Sequence, residues 1–226
     1  YVTAVRPENL LHNGLTDTDL VHLAKLKELR ALDLAYSGVT DDGLVQLRDL
    51  KGLARLMLQG TDVTDAGLEH LRELASLTEL NLMGTKVTDA GLVQLVGLKE
   101  LSDLNLSETP VTGIGLEHLK NLPRLAALHL RGTQVNDAAL ARIVAIKNLK
   151  ELSLERTQVT DAGLSLLAKV KDLKSLGLAH TAITDSGLRH LFGHTKLNVV
   201  SLTGTNVTEG GIKRLEAALP DCVVIP

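Results

Sequence analysis

Leu77-Thr-Glu-Leu80-Asn-Leu82-Met-Gly-Thr85-Lys-Val87-Thr88-Asp89-Ala-Gly91-Leu92-Val-Gln-Leu95-Val-Gly-Leu98-Lys-Glu100 is the stretch on which the rest of the chain is patterned. The pattern restarts at Leu29, Leu53, Leu101, Leu125, Leu149, Leu173 and Leu197, always 24 residues on, and a degenerate first copy begins at Val5. Nine copies fill residues 5–220 without an insertion or deletion. Strict repetition at this period marks a solenoid, in which each unit contacts only its neighbours.

Each copy opens with L-x-x-L-x-L, as in Leu77-x-x-Leu80-x-Leu82, a period-2 alternation long enough for one brief strand. The ninth position is Thr61, Thr85, Thr109, Thr133, Thr157, Thr181 and Thr205, with Ser37 and Asn13 in the earliest copies. A column that always hydrogen-bonds, set between apolar columns, predicts side chains that satisfy buried backbone groups as the chain leaves the strand. Removing one such hydroxyl is expected to cost about 1–3 kcal/mol.

Val63-Thr64-Asp65-Ala-Gly67-Leu68, with Leu71 and Leu74 following at three-residue spacing, predicts a helix start. Either Thr64 or Asp65 can cap its first free N–H groups, and the carboxylate suits the positive end of the helix dipole. Asp19 and Ala139 stand in the glycine column. A β-carbon is therefore tolerated there, and these glycines are read as permitting close helix–strand approach rather than positive φ.

A strand, a turn and a short helix cannot bury their own leucines, whereas stacked copies can. The strands must then run parallel about 4.8 Å apart, with helices in an outer layer. Packed helices stand about 8–10 Å apart, so the stack bends with its sheet inside. The expectation is an α/β arc: a concave parallel sheet backed by helices.

L-x-x-L-x-L-x-x-T-x-V resembles the leucine-rich repeat, with Thr where Asn or Cys is commoner. V-T-D-A-G-L-x-x-L further resembles the cysteine-containing, ribonuclease-inhibitor-like branch of F-box repeat arms and of many bacterial repeat proteins, notably of planctomycetes. The terminal Ala218-Leu-Pro-Asp-Cys222-Val resembles that branch's closing turn. The resemblance implies a single domain over 1–226 that presents a protein-binding surface. Residues 5–28 are its N-terminal capping repeat, 29–220 eight repeats and 221–226 a last strand.

Composition narrows the function. The chain has 226 residues, 44% of them hydrophobic, a net charge of −3 and a pI near 6.3, with no basic stripe for nucleic acid. Its aromatics are Tyr1, Tyr36 and Phe192, too few for base stacking. No stretch approaches 18 apolar residues, so no membrane span is expected. Cys222 is the single cysteine, which points to a reducing, cytoplasmic compartment. The start at Tyr1, without methionine or signal sequence, suggests a fragment or processed product. Asn105-Leu-Ser and Asn206-Val-Thr match the glycosylation pattern and carry no weight in so Thr-rich a repeat.

The ends and middle depart from the pattern. Glu8 replaces a core leucine and Asp19 a glycine, which suits the polar face of a cap. Copies five and six carry Thr112-Gly113-Ile-Gly115, Pro123 and Asn136-Asp-Ala-Ala139, read as drift among tolerant positions. His194 takes a leucine slot after Phe192-Gly193, and a shortened helix is expected there. Helix surfaces alternate between Gly-Leu-Val-Gln and Gly-Leu-Glu-His, as if a 48-residue pair had been duplicated. His22, His70, His118 and His190 share one column, but alternate helices about 16–20 Å apart cannot share a zinc that needs ligands at about 2 Å.

Positions three, five and seven of each strand point onto the concave face. The middle copies place Met, Arg, His and charges of both signs there, and Met and Arg are favoured in protein interfaces. The expected contact zone comprises Arg55, Met57, Gln59, Met83, Asn105, His129, Arg131 and Glu155, with Tyr36, Arg156 and His180 at the rim. The predicted partner is another protein, either of a free-standing recognition module or of a substrate-recognition arm in a larger assembly, such as an F-box subunit or bacterial effector. A structural or engineered scaffold is the remaining alternative. No nucleic acid, membrane, small-molecule substrate, cofactor or metal is implied. Asn105, His129 and Ser153 stand at one position of successive strands in the order of a catalytic relay. An open sheet supplies neither an oxyanion hole nor exclusion of water, so no catalytic residue is expected.

Overall fold

The computed structural model describes residues 4–5 and 14–226. Among these residues ten strands form one parallel sheet in chain order: β1 (Ala4–Val5), β2 (Ala31–Asp33), β3 (Arg55–Met57), β4 (Glu79–Asn81), β5 (Asp103–Asn105), β6 (Ala127–His129), β7 (Glu151–Ser153), β8 (Ser175–Gly177), β9 (Val199–Ser201) and β10 (Val223–Ile225). From β2 to β9 the register never slips, so Leu32, Leu56, Leu80, Leu104, Leu128, Leu152, Leu176 and Val200 form one row. These side chains are at most 2% exposed and, with the leucines two residues on, form a continuous core between sheet and helices. A sheet uncovered on one face and apolar on the other produces this alternation.

The outer layer is α1 (Asp17–Leu23), α2 (Asp41–Leu44), α3 (Asp65–Glu69), α4 (Asp137–Ile143), α5 (Asp161–Leu167), α6 (Asp185–Leu188) and α7 (Glu209–Ala218), with 3₁₀ turns over Gly91–Gly97 and Gly115–Asn121 in the two middle copies. The ninth-position hydroxyls behave as expected. Each donates to the carbonyl three residues back, as Thr109 Oγ1 does to Leu106 O at 2.6 Å, and Thr109 itself is buried. Thr109→Val should therefore lower the urea midpoint by the equivalent of about 1–3 kcal/mol at unchanged slope. An unmoved midpoint would mean that the carbonyl has found another partner.

The helix starts differ from expectation in an informative way. Thr64 caps its own helix, accepting from Ala66 N. Asp65 instead crosses to the next copy, where its two carboxylate oxygens accept from Thr88 N (2.7 Å) and Thr88 Oγ1 (2.6 Å). The same rung joins Asp17 to Thr40, Asp41 to Thr64, Asp89 to Thr112, Asp137 to Thr160, Asp161 to Thr184 and Asp185 to Thr208. It is a hydrogen-bond ladder along the solenoid.

The ladder corrects the reading of the glycine column. A β-carbon at Gly43, Gly67, Gly91, Gly163, Gly187 or Gly211 would collide with the carboxylate of the preceding copy's aspartate, not with a strand. Where that aspartate is Gly113, the column relaxes and Ala139 fits. Conversely, a β-carbon at Gly113 would collide with that of Ala139. Asn136, left without a carboxylate to meet, caps its own helix through Ala138 N and Ala139 N. Gly113, Asn136 and Ala139 are thus one coupled change rather than independent drift. The α-helix of copy eight is short as expected, four residues against seven in copies six and seven, but that of copy two is equally short with Leu50 in the slot of His194, so the histidine is not the cause. His194 is wholly buried, its ring nitrogens within hydrogen-bonding distance of Leu167 O and Leu191 O, and burial holds its basicity down. Glu8, Asn13 and Tyr1 lie outside the described residues.

Candidate protein-binding face

The in-register sheet sorts its outward side chains into rows. Position five reads Asp33, Met57, Asn81, Asn105, His129, Ser153, Gly177 and Ser201, each paired with the next. Position three reads Ala31, Arg55, Glu79, Asp103, Ala127, Glu151, Ser175 and Val199 in the same way. Met57, Gln59, Met83, Asn105, His129 and Glu155 are half-buried on this face, and Arg55 and Arg131 are exposed. Tyr36, Arg156 and His180 are exposed at the edge where the strands end.

That edge carries a feature which the sequence reading missed. Tyr36, Glu108, Arg156 and His180 all have φ between 54° and 57°, and Gly60, Gly84, Gly132 and Gly204 have φ between 66° and 70° at the same repeat position. Left-handed backbone costs a residue with a β-carbon roughly 1–2 kcal/mol. Backbone bonds that continue the sheet hold the conformation: Tyr36 N donates to Gln59 O and Glu108 N to Arg131 O, while the chain turns back toward the helices. Three of the four large side chains fold over the glycine that follows in the next copy: Tyr36 over Gly60, Glu108 over Gly132 and His180 over Gly204. Glycine at four of these eight positions was visible in the sequence and was the signal for this turn.

The face's polar groups are largely committed. Asn105 Oδ1 accepts from Ser107 N at 2.9 Å, and Asn81 does the same for Met83. His129 Nε2 lies 3.4 Å from Asp103 Oδ1. That hydrogen bond, opposed by burial and aided by the charges of Asp103, Glu151 and Glu155, raises the histidine's pKa above 6.5. Ser153 donates its hydroxyl to Glu155, and Arg131 Nε is 3.9 Å from Glu108. Asn105, His129 and Ser153 therefore stand in a row but form no relay. On the helices, His70 Nδ1 takes the guanidinium of Arg48 at 2.6 Å, and among the described residues no three potential ligands gather around a metal-sized space. Nor is any described helix long and apolar enough to cross a membrane.

A family model described as Leucine Rich repeat matches residues 26–47, 73–96 and 145–168, three segments in phase with the strand–helix unit. The repeat chain is also similar in structure to internalin C2 of Listeria monocytogenes, with a TM-score of 0.69 at 25% identity over 93% of this chain and 83% of that one. No curated protein matches it. The parallel sheet, outer helices and repeat match together make the fold an α/β leucine-rich repeat solenoid, an architecture whose general use is protein–protein interaction.

Proposed function

We propose that this solenoid is a non-enzymatic recognition module whose concave sheet docks another protein. The observation that carries the reading is the sheet itself, whose outward side chains keep one register from β2 to β9 and, among the described residues, have no helix or strand laid across them. At its centre Met57, Met83, His129 and Arg131 offer apolar and charged contacts together, the mixture enriched in protein interfaces. Catalysis finds no support, because Asn105, His129 and Ser153 each bond elsewhere. The V-T-D-A-G-L helix start favours a place in the ribonuclease-inhibitor-like branch, where such domains act as recognition arms of larger assemblies.

The test is retention of a partner from source lysate by immobilised chain, beside a variant carrying Met57→Ala, Met83→Ala, His129→Ala and Arg131→Glu. Loss of the partner by a variant with an unchanged circular dichroism spectrum is the expected result, with affinity reduced at least about a hundredfold if two of the four are anchors. Equal retention by parent and variant moves the contact to the helices or an end. Retention by neither favours a structural spacer.

A further inference from the structure

The concave face is interrupted at β8. Positions three and five are Ser175 and Gly177 there, and so little side chain leaves a hollow of about 330 Å³ between β7 and the last strands. One wall is acidic. Glu151 is exposed, and Glu155 bends until its carboxylate lies where a β-carbon of Gly177 would stand, held by the hydroxyl of Ser153. Neither glutamate has an ion-pair partner within 4 Å among the described residues: Arg131 is turned to Glu108, and the His129 ring, which also lines the hollow and feels both charges, is turned to Asp103. The opposite wall is hydrocarbon, made by Val199 and by Ile225, which is 44% exposed, with Val223 beside them 62% exposed.

An occupant that satisfies both walls has an aliphatic stem ending in a cation. We infer that the hollow receives a lysine or arginine side chain from the protein docked on the concave face; the inference rests on the recognition reading above. The stem lies along Val199 and Ile225, and the charged head reaches Glu155 at the floor and Glu151 at the rim. Such side chains bury their methylenes on apolar surface while keeping the head among polar partners. A charge-assisted hydrogen bond to a carboxylate is about twice as strong as a neutral one.

The test titrates the isotope-labelled intact chain with acetyl-Gly-Ser-Lys-Ser-Gly-amide, and with the same peptide carrying Arg, norleucine or Glu at its centre, following amide signals by NMR. The Lys and Arg peptides should move the signals of Ser153, Glu155, Ser175, Gly177 and Ser201, while the norleucine and Glu peptides leave them in place. The double change Glu151→Gln and Glu155→Gln should weaken the Lys peptide by about tenfold, since two partly exposed ion pairs together supply about 1.4 kcal/mol. Gly177→Val, whose side chain would displace the Glu155 carboxylate from the floor of the hollow, should abolish the shifts. Equal shifts with norleucine, unchanged affinity in the double variant, or no shift at these residues overturns the inference.

The partner assay separates the two readings. A partner lost with the four-site variant but held as tightly by the double glutamine variant leaves the recognition reading standing and overturns the basic side chain. A partner held equally by both overturns the recognition reading itself.

Discussion

Asp89→Ala is expected to destabilise the chain by about 3 kcal/mol and to split its unfolding into two steps. The carboxylate accepts four hydrogen bonds: from Thr112 N (2.8 Å), Thr112 Oγ1 (2.7 Å), Gly113 N (3.0 Å) and Gly115 N (2.7 Å). Bonds to a charged group contribute about 1.5–3 kcal/mol each when buried, and the site's partial exposure reduces their sum. Position matters as much as number. The next interface already lacks its rung, because Gly113 stands where the aspartate would be. Removing Asp89 leaves two successive interfaces unlinked, and a solenoid whose stability is a sum of neighbour terms should part there. Asp161→Ala, with rungs on both sides, should shift the urea midpoint without splitting the transition. A single transition in both variants would show that the ladder does not set cooperativity.

The same site predicts the direction of an acid effect. Partial burial pushes the Asp89 carboxyl up, but the hydroxyl and backbone N–H of Thr112 and the N–H groups of Gly115 and Gly113 outweigh it, leaving the carboxyl below 3.8. Because the folded value lies below the unfolded one, its stabilisation is complete above the unfolded pKa and is lost as pH falls through the folded one. The difference in stability between parent and Asp89→Ala should hold constant from neutral pH to about pH 5 and shrink below about pH 4.

Gly115→Ala should be comparably damaging, at about 3 kcal/mol, and for a different reason. Its new β-carbon would lie 2.8 Å from Asp89 Cα and 2.9 Å from the Asp89 carbonyl carbon, and backbone cannot step aside as a side chain can. Overpacking of this kind costs about 1–3 kcal/mol, and collision with fixed main chain places it at the upper end. Gly67→Ala meets the carboxylate of Asp41 instead and should cost less, because that side chain can rotate at the expense of its bonds to Thr64. In the other direction, Ala139→Gly should cost only about 1 kcal/mol, the helix-propensity difference, since no carboxylate waits beside it. Thermal midpoints of the three variants measure the order; equal shifts would remove the carboxylate from the account of this column.

How far the sequence could be read follows from which interactions repeat. The leucine rows and the ninth-position hydroxyls recur in nearly every copy, and both report contacts made within a copy or with its nearest strand. Period alone was enough for them. The aspartate ladder was harder, because Asp65 and Thr88 belong to different copies although each lies at a helix start that explains it locally. Ala139 was read as tolerance when it was compensation for Gly113 one copy earlier, a distance of 26 residues that no single-copy reading spans. At the face, strand periodicity identified which side chains point outward but not how they pair. His129 turns to Asp103 in the preceding strand, and Ser153 to Glu155 in its own segment. The hollow at Gly177 arises from an absence of side chains, which a search for Met, Arg and His passes over.

That the concave sheet, rather than the helical back, makes the protein contact can be checked by placing a photo-crosslinking phenylalanine analogue singly at Met57 or Met83 on the sheet and at Glu69 or Val93 on the outer helices, then irradiating each variant with its retained partner. Adducts from the two sheet positions and none from the helix positions are the predicted result. Adducts from Glu69 or Val93 with none from Met57 or Met83 would contradict it.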